Sequence, residues 1–195
     1  MKEHSGQTSL TRPPIIGFAG RIGAGKTTLS RMAAAQLHLP WTGFGDLVRA
    51  VAVSRGESLT RDSLQALGDS LIQQGWWEFC QALLSQAGWH DGEGLVIDGL
   101  RHVGAVETLR TITRTSPMVV VFVDLAPGLR QQRLEAKGAN WSDILAADSH
   151  PNEAQVASVR ALADVVVDNS GELNATCDGL LARLDGLLNE SIPNA

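Results

Sequence analysis

The segment from residue 20 to residue 27 constrains the fold more than any other part of this 195-residue chain. It reads Gly-Arg-Ile-Gly-Ala-Gly-Lys-Thr and matches the pattern G-x-x-x-x-G-K-[ST]. The short apolar run at 15–19 before it is typical of a buried parallel strand. After it, apolar residues recur at helical spacing until Pro40. The segment is therefore predicted to be a loop that joins a strand to a helix.

The glycines of this loop let the backbone fold closely around a phosphate group, so that consecutive N–H groups and the helix N-terminus face the anion. Lys26 is placed to reach the β- and γ-phosphates, and the Thr27 hydroxyl suits Mg²⁺. The alternative is a glycine-rich turn without a ligand. The motif indicates a nucleoside triphosphate, and we expect ATP with Mg²⁺. The predicted nucleotide-binding residues of this loop are Gly20, Arg21, Ile22, Gly23, Ala24, Gly25, Lys26, Thr27 and Thr28.

The cationic residues are few, and most of them are arginines. Sixteen lysines and arginines stand against 21 acidic residues, and the net charge of −5 argues against general nucleic-acid binding. The only lysines are Lys2, Lys26 and Lys137. Because arginine binds phosphate through two parallel N–H groups, the excess of arginine agrees with phosphate chemistry. A GC-rich genome would produce the same excess.

The composition predicts a single soluble domain. Hydrophobic residues make up 44% of the chain and charged residues 19%, as in globular proteins. Cys80 and Cys177 have no cysteine or histidine at ligand spacing, so neither zinc nor a disulfide framework is indicated. No secretory signal and no apolar run of roughly 20 residues is visible. We expect a cytoplasmic monomer or homodimer whose partner is a small molecule, with no nucleic acid and no membrane.

Further apolar runs alternate with helical patterns along the rest of the chain. This alternation predicts an α/β fold with a mostly parallel sheet covered on both faces. We expect a flexible tail at 1–12 and a single domain at 13–195. The runs that predict further strands lie at 95–98, 118–123 and 165–167.

Residues 41–94 interrupt this alternation and predict a helical insertion. Six of the nine aromatic residues of the chain lie in it. Four of them, Trp41, Phe44, Trp76 and Trp77, either stack on a bound ring or form the small core of the insertion. The predicted helices lie at 46–55, at 60–74 with Thr60 as N-cap, and at 76–87.

A carboxylate, Asp98, follows the apolar run at 95–97. An acidic residue at the end of a strand beside a phosphate loop is placed to hold Mg²⁺ through water, although such a residue also caps turns. Gly99 stands where many ATP-hydrolysing proteins have a glutamate that orients water, and the guanine-reading pattern N-K-x-D is absent from the sequence. These features favour transfer to a bound acceptor over hydrolysis.

Three segments, together with the phosphate loop, make the chain resemble the P-loop nucleoside-monophosphate kinases, including adenylate kinase and dephospho-CoA kinase. Residues 45–49 are similar to the G-D-x-x-R of adenylate kinases, and residues 98–101 to their D-G-x-P-R. Residues 163–171 are similar to a stretch that flanks the donor adenine in dephospho-CoA kinases. The resemblance implies a three-layer P-loop fold with strand order 2-3-1-4-5 and its second strand within 39–44. It also implies that the insertion binds the acceptor and that a short lid lies at 137–151.

The resemblance also implies roles for individual residues. Arg49 and Arg101 would bind the acceptor, and Arg133 would approach the transferred phosphate as a lid arginine, unless each is simply a solvated helix arginine. Asn169 and Gly171 would bind the donor nucleotide. The implied catalytic set is Lys26, Asp98 and Arg133, and the implied metal-binding pair is Thr27 and Asp98.

The identity of the acceptor stays open at this stage. The first hypothesis is an ATP- and Mg²⁺-dependent kinase that acts on a nucleoside or deoxynucleoside monophosphate. The second is transfer to a hydroxyl, as in dephospho-CoA kinase, with Asp46 as general base. In the first case Asp46 binds the substrate ribose or caps its helix. The third is a nucleotide-binding regulatory switch without metabolic turnover.

Overall fold

The computed structural model describes residues 13–140 and 151–190, and these residues form a five-stranded parallel sheet. The strand order is β2-β3-β1-β4-β5, which confirms the order implied by the resemblance to P-loop kinases. The predicted tail at 1–12 and most of the predicted lid at 137–151 lie outside the described residues. The strands are β1 (Ile15–Ala19), β2 (Trp41–Gly43), β3 (Leu95–Leu100), β4 (Met118–Asp124) and β5 (Val165–Asp168).

Helices cover both faces of the sheet, because the side chains of each buried strand alternate between two apolar layers. In β1, Ile15 and Ala19 pack in one layer, while Ile16 and Phe18 pack in the other. The first layer includes α2–α5 and α7, and the second includes α1 and α8. The helices are α1 (Lys26–Leu37), α2 (Phe44–Arg55), α3 (Arg61–Gln74), α4 (Trp76–Gln86), α5 (Val103–Ile112), α6 (Pro127–Glu135), α7 (Pro151–Ala161) and α8 (Leu173–Glu190).

The helical insertion consists of α2, α3 and α4, as the sequence predicts, and it shares the core of the first layer. Thr60 caps α3, since its hydroxyl accepts a hydrogen bond from the Ser63 N–H group. The helix α2 begins at Phe44, two residues before the predicted start, because β2 ends at Gly43 and the chain turns at once. The strand β2 therefore occupies the first three residues of the predicted 41–94 insertion.

Parallel strands bring their carboxyl ends to one edge of the sheet, and ligands of open α/β sheets bind at this edge. Asp98 of β3 lies in register with Phe18 of β1 on one side and with Gly43 of β2 on the other. The phosphate loop and the start of α2 therefore flank the same aspartate. No helix in the described part of the chain is long and apolar enough to cross a membrane.

The shared core predicts that the insertion unfolds together with the sheet. Leu83 of α4 is fully buried in the first layer, so Leu83→Ala should lower the free energy of unfolding by about 2–5 kcal/mol. Denaturant unfolding followed by circular dichroism should show one transition. Val53→Ala, at a side chain that is 64% exposed, is the control and should change stability by less than about 0.5 kcal/mol. A separate early transition would contradict a common core.

Candidate functional site

The phosphate loop joins β1 to α1 and depends on a glycine next to its lysine. Gly25 is the N-cap of α1 and has a left-handed backbone (φ 90°), which glycine adopts without strain. The side chain of Asn169 lies so close that a Cβ atom at Gly25 would overlap its amide nitrogen. That amide donates a hydrogen bond of 2.8 Å to the carbonyl oxygen of Ala24. The loop at the end of β5 therefore holds the phosphate loop in place.

Thr27 and Asp98 meet across the gap between α1 and β3. The Thr27 hydroxyl donates a hydrogen bond of 2.5 Å to Oδ2 of Asp98. Asp98 is buried, and its Oδ1 atom has no hydrogen-bond partner among the described residues. A buried carboxylate oxygen of this kind is costly unless a donor or a cation compensates it. A hydroxyl beside such a carboxylate is a fitting donor set for Mg²⁺.

Two arginines of α6 lie beside the phosphate loop, and Arg130 bonds to it directly. Arg133 donates a hydrogen bond of 2.8 Å to the backbone oxygen of Asn169. Arg130 is buried and donates one of 3.3 Å to the backbone oxygen of Ile22. The structure thus places Arg133 near the loop, and it also brings in Arg130, for which no role was predicted. Gly171 lies beyond Asn169 in the exposed connection from β5 to α8.

A cavity of about 620 Å³ connects the phosphate loop to the helical insertion. Lys26 and Thr27 line it at the loop. Three predicted acceptor residues, Asp46, Arg49 and Arg101, line it as well. The structure therefore brings part of the predicted donor site, including Lys26, Thr27 and Asp98, into one cavity with the three predicted acceptor residues, whereas Arg133 and Asn169 do not line it.

An ion-pair cluster lies on the wall of this cavity between α1 and α2. Arg49 donates a hydrogen bond of 2.8 Å to Oδ1 of Asp46, and Arg31 lies 3.6 Å from Oδ2. The Arg31 guanidinium also stacks over Trp41, with 3.7 Å between its central carbon and the ring centroid. Arg31 was not singled out in the sequence. No sequence motif marks its position in α1, because its contacts with Trp41 and Asp46 depend on how β2 and α2 pack against this helix.

Aromatic side chains form the wall that the insertion contributes. Phe44 and Phe79 are buried and pack with ring centroids 5.0 Å apart, so they belong to the core of the insertion. Trp76 is partly exposed in the cavity and lies against His102, with centroids 5.1 Å apart. Trp77 is half exposed and does not line this cavity. The core reading therefore holds for Phe44, whereas stacking of a bound ring on Trp41 or Trp76, which line the cavity, stays a prediction.

Burial alters the titration of two groups near this wall. The pKa of His102 lies below its ordinary value, because of burial and then the positive charge of Arg101, while Asp69 opposes the shift. The imidazole is therefore neutral at pH 7. Burial raises the pKa of the Cys80 thiol to about 12, so this cysteine is a core residue rather than a nucleophile. Asp69 lies on the cavity-facing side of α3 and was not singled out in the sequence.

Sequence comparison identifies relatives over most of the chain. A family model described as an AAA domain matches residues 19–147. A UPF0200 protein of Thermococcus kodakarensis is 27% identical over 170 residues, covering 80% of this chain and 89% of the relative. A UPF0200 protein of Aeropyrum pernix is 28% identical over 166 residues, covering 82% of this chain and 86% of the relative.

Structural comparison identifies kinases with the same fold. A gluconokinase from Sinorhizobium meliloti superimposes with a TM-score of 0.55 and 18% identity, covering 91% of this chain and 95% of that one. A shikimate kinase from Aquifex aeolicus gives a TM-score of 0.52 and 15% identity, covering 88% and 96%. The resemblance to P-loop kinases expected from the sequence is confirmed at the level of the fold.

The contact between Gly25 and Asn169 generates a prediction for nucleotide binding. Gly25→Ala introduces a Cβ atom at a left-handed position where it overlaps the asparagine amide, so the loop must shift. We expect ATP affinity, measured with a fluorescent ATP analogue, to fall about tenfold or more. Gly186→Ala is the matched control, because a Cβ atom there meets no described residue within 4 Å. Equal affinity in the two variants would contradict the role of this contact.

Proposed function

Because the chain belongs to the AAA domain family and has the fold of the P-loop kinases, we propose that it is an ATP- and Mg²⁺-dependent phosphotransferase. We propose that its acceptor is a nucleoside or deoxynucleoside monophosphate. The observation that carries the proposal is the cavity that contains Lys26 beside Arg49 and Arg101. We further propose that the protein acts in the cytoplasm as a monomer or homodimer.

The donor half of the proposed site consists of the phosphate loop and Asp98. The backbone N–H groups of the loop bind the phosphates of ATP, and the Lys26 ammonium stabilises the charge on the transferred group. Thr27 and Asp98 are the residues that hold Mg²⁺, which neutralises the phosphate oxygens when bound. The compact charge of a lysine suits a position between two phosphates, whereas the planar arginine fork suits the outer oxygens.

The acceptor half consists of the arginines and aromatic residues on the insertion side. Arg49 and Arg101 bind the acceptor phosphate, since guanidinium groups form paired hydrogen bonds with phosphate oxygens. Trp76 offers a flat apolar surface for a base or ribose. A cavity of about 620 Å³ lies within the usual range for small-ligand sites. An acceptor with an anionic group and a flat ring fits this combination.

Exclusion of water accounts for transfer in preference to hydrolysis. Gly99 lines the cavity next to Asp98 and offers no carboxylate to orient water. We propose that the lid at 137–151 excludes water from the nucleotides and that Arg133 of α6, which precedes it, approaches the transferred phosphate. The contact between Arg133 and Asn169 supports this assignment, because it holds the arginine beside the phosphate loop.

Transfer to a hydroxyl group is the second candidate, and two observations favour considering it. The gluconokinase and the shikimate kinase with this fold are named for hydroxy-acid acceptors. Asp46 lines the cavity where a general base would act. However, Arg49 contacts one of its oxygens and Arg31 lies near the other. To act as a general base, Asp46 would first have to separate from both arginines. Binding of an acceptor phosphate by these arginines is therefore the stronger assignment.

A panel of acceptors tests the proposed function directly. ADP release from ATP and Mg²⁺ is measured with each nucleoside monophosphate, each deoxynucleoside monophosphate, dephospho-CoA, gluconate, shikimate and no acceptor. We expect one monophosphate to raise the rate by orders of magnitude over the acceptor-free rate. A comparable increase with a hydroxyl acceptor would instead establish the second candidate. Absent or acceptor-independent ADP release would favour a regulatory switch.

The role of Lys26 gives a second test of phosphoryl transfer. Lys26→Ala should lower kcat roughly 100- to 1,000-fold, because a single charge that stabilises the transition state contributes on this scale. Thermal unfolding should change little, since the lysine side chain lies in the cavity rather than in the core. Arg114→Ala removes an exposed cation outside the cavity and serves as the control, with unchanged kcat. An undiminished rate in the Lys26 variant would refute the assignment.

A further inference from the structure

We infer that Arg31 of α1 is a third arginine that binds the acceptor phosphate, held in position by Trp41 and Asp46. This inference rests on the proposed function and adds a residue to it. No motif of the sequence marks Arg31, which lies five residues after Lys26 on the helix that begins in the phosphate loop. Its side chain lines the same cavity as Lys26, and more than half of its surface is exposed.

Trp41 fixes the plane of the Arg31 guanidinium. The guanidinium carbon lies 3.7 Å from the ring centroid, which is the distance of a stacked cation–π contact. Stacking uses the face of the guanidinium and leaves the N–H groups at its edge able to bind oxygen atoms. An arginine that is oriented before the ligand arrives loses less side-chain entropy on binding.

The tryptophan is itself tied to the phosphate loop. Its indole N–H donates a hydrogen bond of 3.0 Å to the Ser30 hydroxyl. That hydroxyl donates one of 3.0 Å to the backbone oxygen of Thr27. A short series of contacts therefore runs from the donor side of the cavity to Arg31. The position of the guanidinium relative to the phosphate loop is therefore set by one helix and one strand rather than by a loop.

Asp46 lies between Arg31 and Arg49 and shows what kind of group the two arginines bind. One carboxylate oxygen accepts a hydrogen bond of 2.8 Å from Arg49, and the other lies 3.6 Å from a terminal nitrogen of Arg31. The second distance is too long for a hydrogen bond, so the ion pair does not satisfy the Arg31 donors at that oxygen. Two guanidinium groups and one carboxylate leave a net charge of +1. A phosphate dianion on the cavity side compensates this charge, whereas a neutral hydroxyl does not.

A purely structural role for Arg31, as a link between α1 and α2, predicts different behaviour. Loss of such a link would disturb the whole cavity and would weaken binding of any acceptor, with or without a phosphate. Loss of a phosphate-binding arginine weakens only the phosphorylated form. Comparison of nucleotides with their parent nucleosides therefore separates the two roles.

The test is equilibrium binding to the full chain saturated with ADP and Mg²⁺, measured by isothermal titration calorimetry. The probes are AMP, CMP, GMP, UMP and dTMP, each paired with its parent nucleoside. Arg31→Met should weaken the best-bound monophosphate roughly 10- to 100-fold, as expected for lost charge-assisted hydrogen bonds, and leave the nucleoside unchanged. Arg31→Lys should lie between this variant and the wild type, because it keeps the charge but not the paired donors. Arg55→Met is the control on α2, outside the cavity, and should bind like the wild type.

The outcomes separate this inference from the proposed function. If the wild-type protein binds a monophosphate and Arg31→Met binds it equally well, Arg31 does not contact the phosphate, while the proposed function stands. Equal weakening of monophosphate and nucleoside assigns Arg31 a structural role and also overturns the inference. If the wild type binds none of these five monophosphates and none of the other deoxynucleoside monophosphates of the acceptor panel, both proposals fail together. Trp41→Leu should weaken the monophosphate in the same direction, and Trp41→Phe, which keeps a ring, should weaken it less.

Discussion

The hydrogen bond between Thr27 and Asp98 joins the two parts of the molecule on which the site depends. One partner is the last residue of the phosphate-loop motif, and the other follows the apolar run of β3, 71 residues later in the sequence. The bond forms because β1 and β3 are adjacent parallel strands whose register places Asp98 next to Phe18. The same pairing opens the cavity on the far side of Asp98, toward β2. A change in strand order would separate the phosphate loop from Asp98.

The helix α1 contacts both halves of the proposed site. Its N-terminus carries Lys26, the proposed phosphate-binding lysine, and Arg31 faces the insertion a little more than one turn later. The strand β2 supplies Trp41 between them, since its indole bonds to α1 and its ring supports the arginine. Rigid elements of the sheet layer, rather than loops, therefore set the spacing between donor and acceptor. This arrangement suits phosphoryl transfer, in which alignment of the two substrates provides much of the rate enhancement.

Much of the fold could be predicted from the sequence, because apolar residues recur with different periods in strands and in helices. The start of α3 could also be predicted, because Thr60 is a typical N-cap residue. The phosphate loop was equally clear. The roles of Asp46, Arg49 and Arg101 came from resemblance, and the structure brings these residues into one cavity with Lys26. The binding of the donor nucleotide by Asn169 stays a prediction, and the structure adds that its side-chain amide donates a hydrogen bond that supports the phosphate loop. Local sequence could not show this, because its partner, Ala24, is 145 residues away.

The sequence by itself determined the phosphate loop, since eight consecutive residues contain the glycines, the lysine and the hydroxyl that phosphate binding requires. It also determined the layered α/β architecture, because the hydrophobic pattern of each element is local. Only the tertiary structure decided which polar residues face the cavity. Arg31 and Arg55 are both exposed helical arginines, yet one stacks on Trp41 in the cavity and the other pairs with Glu57 outside it. The difference arises because α1, β2 and α2 pack together around Arg31. The neighbours of a side chain in such a cavity come from segments that are distant in the chain, so the local sequence does not determine them.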